Sequence, residues 1–330
     1  MRRGELPMVS TARLIGQTSR MEDLLTLGPQ FRAPNLREAL ERASLGGPVV
    51  AITAGWQERE AELGALEEHL GQPVRDLRLY ERAEAVFGQD GELQAAYRAR
   101  QNDLRQLQDL YRVRLDHAKA ATRELFQAPD DSPLVRKARR SAIAALRRLD
   151  AEHLREIRAL HGRFEASWGA GQRPILARQL ADLEQLITAA AVVCIAGGHV
   201  AVLLNRLRLF GLGRALRTRP IVAWSAGAMA LAERVVLFHD HPPQGAGNAE
   251  LFEAGLGFVR DAVFLPHAAT RLAARDPQRV ALLARRMAPA VCYTLDDGDA
   301  LHWRRGRLAA AAGSQRLTRS GRFAPAGPTT

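Results

Sequence analysis

One serine in the sequence stands where a nucleophile would be held. Ser225 follows the apolar run Ile221–Trp224, and the small residues from Ala226 to Ala228 lead from it into an apolar helix. A strand, a tight turn and a helix in this order form a nucleophile elbow, in which the residues beside the serine must be small. The helix N-terminus would stabilise negative charge on a substrate oxygen. Ser225 would also serve as a simple N-cap, but the run of small residues favours the nucleophile.

A histidine and a group of acidic residues follow two later apolar runs. Ala262–Leu265 is followed by Pro266 and His267, and Val291–Leu295 is followed by an Asp-Asp-Gly-Asp turn. A neutral imidazole at a strand end is able to accept the serine proton, and a carboxylate beside it would stabilise the imidazolium. A lone histidine is more often structural, and acidic turns are common. The chain order Ser, His, Asp differs from the order Ser, Asp, His of the α/β-hydrolases.

Short apolar strands separated by helices must position these groups. Val49–Ile52 and a helix from Gln57 open a β-α-β unit, which implies a parallel sheet, and a short second strand is expected around residues 74–80. The later strands are expected at Ala191–Ala196, Ile221–Trp224, Ala262–Leu265 and Val291–Leu295. We therefore predict an α/β fold with a doubly wound, mostly parallel sheet flanked by helices. Ligands bind beyond the carboxyl ends of the strands in such sheets.

The middle of the chain has a different pattern. Residues 92–168 are polar and helix-favouring, with a proline-bounded break at Gln127–Pro133 and apolar stripes on both sides of it. This pattern predicts a long inserted antiparallel helical hairpin that projects from the sheet domain. Its seam is expected to contain Leu104, Leu107, Ile157 and Leu160. A structural insertion or a homodimerisation arm is the favoured role, and a lid over the site is the alternative.

The resulting division of the chain has four parts. Residues 1–47 are expected to form an N-terminal extension, and residues 48–91 and 169–315 the hydrolase-type core. Residues 92–168 form the hairpin, and residues 316–330 are expected to be a flexible basic tail.

The positive net charge of +11 is weak support for a nucleic-acid partner. Arginine supplies 45 of the 47 basic residues, a skew typical of a GC-rich, bacterial genome, and the excess is spread along the chain. A nucleic-acid surface would concentrate charge and interleave aromatic residues. We expect no nucleic-acid partner, and an acidic small substrate fits the charge equally well.

The apolar segments predict a soluble cytoplasmic protein. The longest apolar run, Ile187–Ile195, is too short to cross a bilayer, and the first ten residues lack the apolar centre of a signal peptide. Cys194 and Cys292 lie in apolar runs, where a thiol is usually a buried hydrophobe rather than half of a disulfide. We expect no membrane contact.

The chain resembles the aspartyl dipeptidase and cyanophycinase family of serine peptidases, which have a class I glutamine amidotransferase-like fold. The residues that carry the resemblance are Gly197-Gly198, Ala223–Ala228, Gly255-Leu256-Gly257, His267 with Arg271, and Asp296-Asp297-Gly298. Three features depart from the family pattern: Trp224 directly before the serine, His199 after the glycine pair, and the helical hairpin.

The resemblance implies acyl transfer on Ser225, with His267 as the proton shuttle and Asp297 as the residue that orients it. Asp296 is the alternative for the last role, since a shift of one residue in the turn decides which carboxylate points inward. The oxyanion hole is expected from backbone N–H groups of Ala226 and of Gly198 or His199.

The implied substrate is a small peptide or isopeptide that contains aspartate. Arg271 and Trp224 are expected to contact it. The resemblance requires no cofactor and no metal; His239-Asp240-His241 would be a weak metal motif because two prolines follow it and no third ligand has a suitable spacing. The competing hypothesis is a catalytically silent scaffold that binds a protein partner through the hairpin.

Overall fold

The structure, a computed structural model, describes residues 23–238, 249–272 and 274–328. The strands are β1 (Asp23–Leu27), β2 (Val49–Ile52), β3 (Val74–Asp76), β4 (Val192–Ile195), β5 (Ile221–Trp224), β6 (Arg234–Leu237), β7 (Glu250–Ala254), β8 (Ala262–Pro266), β9 (Val291–Leu295), β10 (Ala300–Arg304), β11 (Arg307–Ala312), β12 (Gln315–Leu317) and β13 (Phe323–Pro325). The helices are α1 (Leu36–Arg42), α2 (Gly64–Leu70), α3 (Leu79–Gln89), α4 (Gly91–Gln127), α5 (Pro133–Trp168), α6 (Pro174–Ala189), α7 (Val200–Leu209), α8 (Gly213–Leu216), α9 (Ala226–Leu231), α10 (Ala268–Arg271) and α11 (Pro277–Met287), and a 3₁₀ segment covers Ala54–Arg59.

A seven-stranded sheet forms the centre of the molecule. Its strand order is β11-β10-β1-β5-β4-β2-β3, and β1, β5, β4, β2 and β3 all run parallel. β10 is antiparallel to both β1 and β11. Every residue of β2, β4 and β5 is buried, because helices cover both faces of a parallel sheet of this kind. The predicted α/β fold, with a mostly parallel sheet flanked by helices, is confirmed.

The strands that precede His267 and the acidic turn belong to a second sheet. β8 and β9 pair in parallel there, and the strand order is β13-β12-β9-β8. β6 and β7 form a separate antiparallel pair. The turn at residues 296–299 leads from β9 in the second sheet to β10 in the first. The strand ends that carry the candidate residues are therefore divided between two sheets that this turn connects.

The expected domain boundaries need two corrections. β1 lies between β10 and β5 inside the main sheet, so the core begins by residue 23 and not at 48. β12 and β13 pair with each other, and Arg316 pairs with Tyr293 of β9, so the segment from residue 316 to Pro325 is not a flexible tail. Both segments are short, and only their pairing partners, which are distant in sequence, hold them in a sheet.

The helical hairpin is present as predicted, but it does not project freely. α4 and α5 have 37 and 36 residues and pack along each other. Ile157 is buried in their seam, and Leu104 and Leu107 are partly buried against the same cluster, whereas Leu160 is half-buried. That cluster also contains Leu251 and Ala254 of β7. The hairpin therefore packs on the core along part of its length.

A buried ion pair fastens the hairpin to the core. The Arg286 guanidinium of α11 donates from Nε and Nη2 to the two carboxylate oxygens of Asp150 on α5, at 2.7 Å each. The Tyr111 hydroxyl donates to Asp150 Oδ1 at 2.8 Å and accepts from Arg286 Nη2. Arg286 also donates to the carbonyl oxygen of Ala249 at 2.6 Å. Removing one partner of such a pair leaves an uncompensated buried charge, so this contact ties the hairpin to the stability of the core.

Three further expectations concern membrane-spanning helices, the two cysteines and a homodimer contact. Within the described residues, no helix is long and apolar enough to cross a membrane. Cys194 and Cys292 are free and buried, as predicted. A homodimer contact through the hairpin stays a prediction; the exposed apolar side chains Leu110, Val113 and Leu134 lie on it.

Candidate active site

Ser225 occupies a strained turn between β5 and α9. Its backbone angles are φ 50° and ψ −120°, a conformation that a residue with a side chain rarely adopts. The Ser225 side chain makes no capping hydrogen bond to α9, so the alternative role as an N-cap is not realised in this structure. The strand, the strained turn and the helix together match the geometry of a nucleophile elbow.

Glycines allow the neighbouring loops to approach the serine. A Cβ on Gly197 would lie 3.0 Å from Ser225 Cβ and 3.3 Å from Ser225 Oγ. Gly198 has φ 106°, and a side chain there would overlap the carbonyl oxygen of Gly55. A side chain on Gly227 would likewise overlap the carbonyl oxygen of Ile195. The loops after β2 and β4 and the turn after β5 are thus packed backbone to backbone around Ser225.

The same packing corrects one expected oxyanion-hole donor. The backbone N–H of His199 donates to the carbonyl oxygen of Gly55 at 2.8 Å, and the His199 side chain caps α7 by accepting from Val202 N–H at 3.4 Å. His199 therefore has no free backbone donor for a substrate. Within the described residues, the N–H groups of Gly198 and Ala226 have no hydrogen-bond acceptor, so they remain the candidates.

The end of β1 connects the serine to the acidic turn. Ser225 N–H donates to the carbonyl oxygen of Leu27 at 3.1 Å, and Gly28 N–H donates to that of Asp299 at 2.9 Å. Gly28 also lies so close to Asp296 that a side chain on Gly28 would overlap the Asp296 carbonyl oxygen. Two successive residues of β1 and its loop thus hold the elbow on one side and the turn on the other.

His267 is held against the same turn. It has φ 59° and ψ 34°, and its N–H donates to the carbonyl oxygen of Leu295 at 3.1 Å. The Asp296 carboxylate accepts a hydrogen bond from Ala269 N–H at 2.9 Å, just after His267. Asp297 is exposed. Within the described part of the chain, no hydrogen bond joins the Ser225 hydroxyl, the His267 ring and the Asp297 carboxylate. Catalytic hydrogen bonds are often long before a substrate binds.

Partial burial and four charged side chains affect the pKa of His267. Partial burial lowers its pKa, the nearby Arg271 guanidinium lowers it further, and Arg32 acts in the same direction. The carboxylates of Asp297 and Asp296 oppose this shift, and Asp297 has the larger effect of the two. A lowered pKa keeps the ring neutral, which is the form that accepts a proton from a serine.

Asp299 organises the acidic turn, a role that residue types and spacing alone do not indicate. It is 7% exposed, and its Oδ2 accepts a hydrogen bond from Asp296 N–H at 2.8 Å. Burial raises its pKa to about 6. Its carbonyl oxygen also accepts the Gly28 N–H bond, so Asp299 joins the turn to the end of β1. The repeated acidic residues of the turn were visible in the sequence, but the direction of each side chain was not.

Arg271 and Trp224, the two residues expected to contact substrate, differ in exposure: Arg271 is exposed and Trp224 is buried. Arg271 is exposed on α10, and it lies near enough to His267 to affect the pKa of its ring. Trp224 is only 6% exposed, and it packs with Val192, Cys194 and Val222 in the core under the sheet. The expected substrate contact of Trp224 is therefore wrong. The alternation of side chains along β5 directs its ring into the core, which is how the bulky residue fits before the serine.

The described residues contain no group of three or more His, Cys, Asp or Glu side chains that could hold a metal ion. His239, Asp240 and His241 lie outside the described residues.

Comparison with known proteins agrees with this geometry. Residues 154–310 match the model of peptidase family S51, and the match includes the elbow, His267 and the acidic turn. Residues 154–310 belong to peptidase family S51. The predicted aspartyl dipeptidase and cyanophycinase family is confirmed by this assignment, and the chain is a serine-type peptidase.

Two solved structures are similar to this chain. A peptidase from an acI-B1 Actinobacterium is 15% identical with a TM-score of 0.45, and the alignment covers 92% of this chain and 93% of that one. A candidate peptidase E protein from Listeria monocytogenes EGD-e is 13% identical with a TM-score of 0.42, covering 90% of this chain and 100% of that one. No curated protein sequence matches this chain.

Proposed function

We propose that the chain hydrolyses a peptide or isopeptide bond in a small, acidic, aspartate-containing substrate through an acyl-enzyme on Ser225. The observation that carries this proposal is the strained backbone of Ser225 at the β5–α9 turn, packed against Gly197. Strain of this kind costs about 1–3 kcal/mol and persists where surrounding structure imposes it. A serine that served only as an N-cap would not need it, and Ser225 forms no cap.

The first step forms the acyl-enzyme. Ser225 Oγ attacks the carbonyl carbon of the substrate while its proton passes to the His267 ring. The N–H groups of Gly198 and Ala226 donate to the oxyanion of the tetrahedral intermediate. The C–N bond then breaks, and the proton on His267 goes to the leaving amine.

The second step restores the enzyme. Water attacks the ester carbon, His267 accepts a proton from that water, and the ester C–O bond to Ser225 breaks with return of the proton to Oγ. Asp297 stabilises the imidazolium in both steps, because its charge raises the pKa of the His267 ring. No metal or cofactor takes part in these steps.

The cationic side chains near His267 support an acidic substrate. Arg271 and Arg32 are both exposed and both affect the pKa of His267, so two positive charges lie near the reacting groups. A substrate carboxylate near these side chains would gain charge-assisted hydrogen bonds.

A panel of dipeptides tests the proposal. Purified protein is incubated with Asp-Leu, β-aspartyl-arginine, Asn-Leu and Ala-Leu, and the amine released is measured. The proposal expects turnover of at least one aspartate-containing compound by the wild type and none by Ser225→Ala, which stays folded because the change is small. Equal turnover by Ser225→Ala would overturn it. Failure of a fluorophosphonate to label Ser225 would instead favour the catalytically silent scaffold.

A further inference from the structure

The loop between β1 and α1, residues 28–35, places an aromatic ring and a guanidinium at the edge of the candidate site. Phe31 is 93% exposed, the most exposed of the large apolar side chains in the described residues. Arg32 follows it and is also exposed. An exposed phenylalanine forgoes roughly 1.5–3 kcal/mol of burial, part of which a contact with an apolar group of a bound substrate would recover.

The side chain of Gln30 joins the two ends of this loop by hydrogen bonds. Gln30 Oε1 accepts hydrogen bonds from the N–H groups of Asn35 and Leu36 at 2.9 Å each. Gln30 Nε2 donates to the carbonyl oxygen of Gly28 at 3.0 Å and to Asn35 Oδ1 at 2.8 Å. Four hydrogen bonds of a single glutamine thus join the two ends of the loop and leave residues 31–34 as a short tip.

The loop is also fixed to the catalytic turn. Asn35 Nδ2 donates to the carbonyl oxygen of Gly298 at 2.7 Å, and Gly28 N–H donates to that of Asp299 at 2.9 Å. The turn to which both ends are attached carries Asp296 and Asp297. Because each end of the loop is held by this turn, the tip has a defined position beside the candidate triad. Binding groups on rigid supports lose little entropy when a ligand arrives.

The charge of Arg32 reaches the site. Arg32 is one of the groups that lower the pKa of His267, together with Arg271 from α10. The two guanidinium groups come from separate elements, one before β2 and one after β8. No hydrogen bond or ion pair within the described residues occupies either of them. Two free cations near His267 would stabilise a carboxylate on a bound substrate more strongly than one.

We propose that the β1–α1 loop determines substrate specificity: Arg32 binds a carboxylate of the substrate, and Phe31 packs against an apolar side chain of the same molecule. The preferred substrate class is then a dipeptide-like compound that has an acidic residue and an apolar residue. This proposal rests on the proposed function of Ser225, but it concerns the choice of substrate rather than the chemistry.

The test compares matched substrates with loop variants. kcat/KM is measured for Asp-Leu, Asn-Leu, Asp-Leu amide and Asp-Gly with the wild type, Arg32→Ala, Arg32→Lys and Phe31→Ala. Asn-Leu removes the side-chain carboxylate and Asp-Leu amide removes the terminal carboxylate, so the pair identifies which one Arg32 binds. Arg42→Ala, which removes an exposed positive charge on α1, is the matched control.

The expected results separate the two residues. Arg32→Ala reduces the preference for Asp-Leu over one of its two neutral analogues by at least tenfold, Arg32→Lys restores part of it, and Arg42→Ala leaves it unchanged. Phe31→Ala reduces the preference for Asp-Leu over Asp-Gly while keeping the carboxylate preference. A purely structural role of the loop would lower all four rates together.

The same compounds are also tested for binding to Ser225→Ala by calorimetry, with and without the loop changes. If neither turnover by the wild type nor binding to Ser225→Ala shows a preference for a carboxylate, or if adding Arg32→Ala changes both preferences by less than twofold, the specificity role is overturned. A Ser225 that no fluorophosphonate labels would defeat the proposed chemistry, whereas these binding ratios would still decide the role of the loop.

Discussion

The backbone of Gly28 lies against the carbonyl oxygen of Asp296, so closely that no side chain fits between them. Gly28 follows β1 in the main sheet, and Asp296 begins the turn that leaves the second sheet. This contact, together with the bond from Gly28 N–H to Asp299, sets the distance between the elbow of Ser225 and the turn beside His267. The candidate site therefore depends on a residue that carries no side chain.

Gly28→Ala tests this dependence. The new methyl group must push the turn away from β1, so we expect a loss of about 1–3 kcal/mol in the free energy of unfolding and a larger fractional loss of kcat than any surface change gives. Gly46→Ala is the control, because nothing lies within 4 Å of the position its Cβ would take. Unfolding in urea and kcat measured on the same samples check both effects. Wild-type activity in Gly28→Ala would show that the turn is not held by this contact.

The two carboxylates of the turn are distinguished by substitution. Asp297→Asn should lower kcat by roughly 10²-fold or more, because an amide cannot stabilise the imidazolium of His267. Asp296→Asn should have a smaller effect, since an amide oxygen still accepts the hydrogen bond from Ala269 N–H. Steady-state kinetics of both variants decide the matter. The opposite ranking would assign the orienting role to Asp296.

The pH dependence of the reaction should respond to Arg271. His267 acts as a base in its neutral form, and Arg271 lowers the pKa of the ring, so neutral His267 persists to lower pH than it would without this cation. Arg271→Ala should raise the His267 pKa and move the acid limb of the kcat/KM profile to higher pH. Arg271→Lys should keep the limb near its wild-type position, and Arg42→Ala should leave it there. A limb that stays in place or moves to lower pH in Arg271→Ala would rule out this electrostatic coupling.

The buried ion pair between Asp150 and Arg286 is expected to contribute to the free energy of unfolding. Asp150→Ala leaves the 1%-exposed side chain of Arg286 as an unpaired buried charge, and we expect a loss of about 3–5 kcal/mol in the free energy of unfolding. Asp109→Ala, which breaks an exposed pair with Arg112 on α4, should change it by about 0.5 kcal/mol or less. Chemical denaturation measures both. Equal losses would mean that the hairpin is not fastened to the core at Asp150.

The same contact changes the expectation for removal of the hairpin. A freely projecting arm could be replaced by a short linker without harm to the core. The hairpin observed here covers Leu251 and Ala254 of β7 and pairs with Arg286, so its deletion would expose apolar surface and a buried charge. We expect a deletion of residues 95–165 to be unfolded or aggregated rather than a folded monomer.

The sequence predicted the strands that carry chemistry better than those that hold them in place. Ile221–Trp224 and Val291–Leu295 have the predicted bounds, because continuous apolar runs that end in small or acidic residues are strong local signals. β1 was missed, although it lies at the centre of the main sheet. Its sequence, Asp-Leu-Leu-Thr-Leu, is not a continuous apolar run, and its strand state depends on partners about 200 and 275 residues away in sequence.

In the candidate site, too, local sequence pattern predicted some residues, whereas the environment of others depends on contacts that are distant in sequence. The residue types and spacing pointed to Ser225, His267 and the acidic turn as candidates, and backbone bonds at the strand ends link the segments that carry them. His199 and Trp224 were misjudged, because a backbone bond to Gly55 and the alternation of side chains along β5 decide their environments. Phe31 and Arg32 gave no signal, since the segment before residue 48 contains no recognisable motif and only its attachment to the turn places it near His267.

Covalent labelling tests the central claim most directly. The protein is incubated with a fluorophosphonate, the mass of the intact chain is recorded, and the modified residue is located by peptide mapping. Because Ser225 lies in a strained elbow and His267 is the proposed base, we expect one adduct per chain on Ser225, its loss in Ser225→Ala, and much slower labelling in His267→Ala. An adduct on another residue, or labelling that persists in Ser225→Ala, would contradict the assignment of Ser225 as the nucleophile.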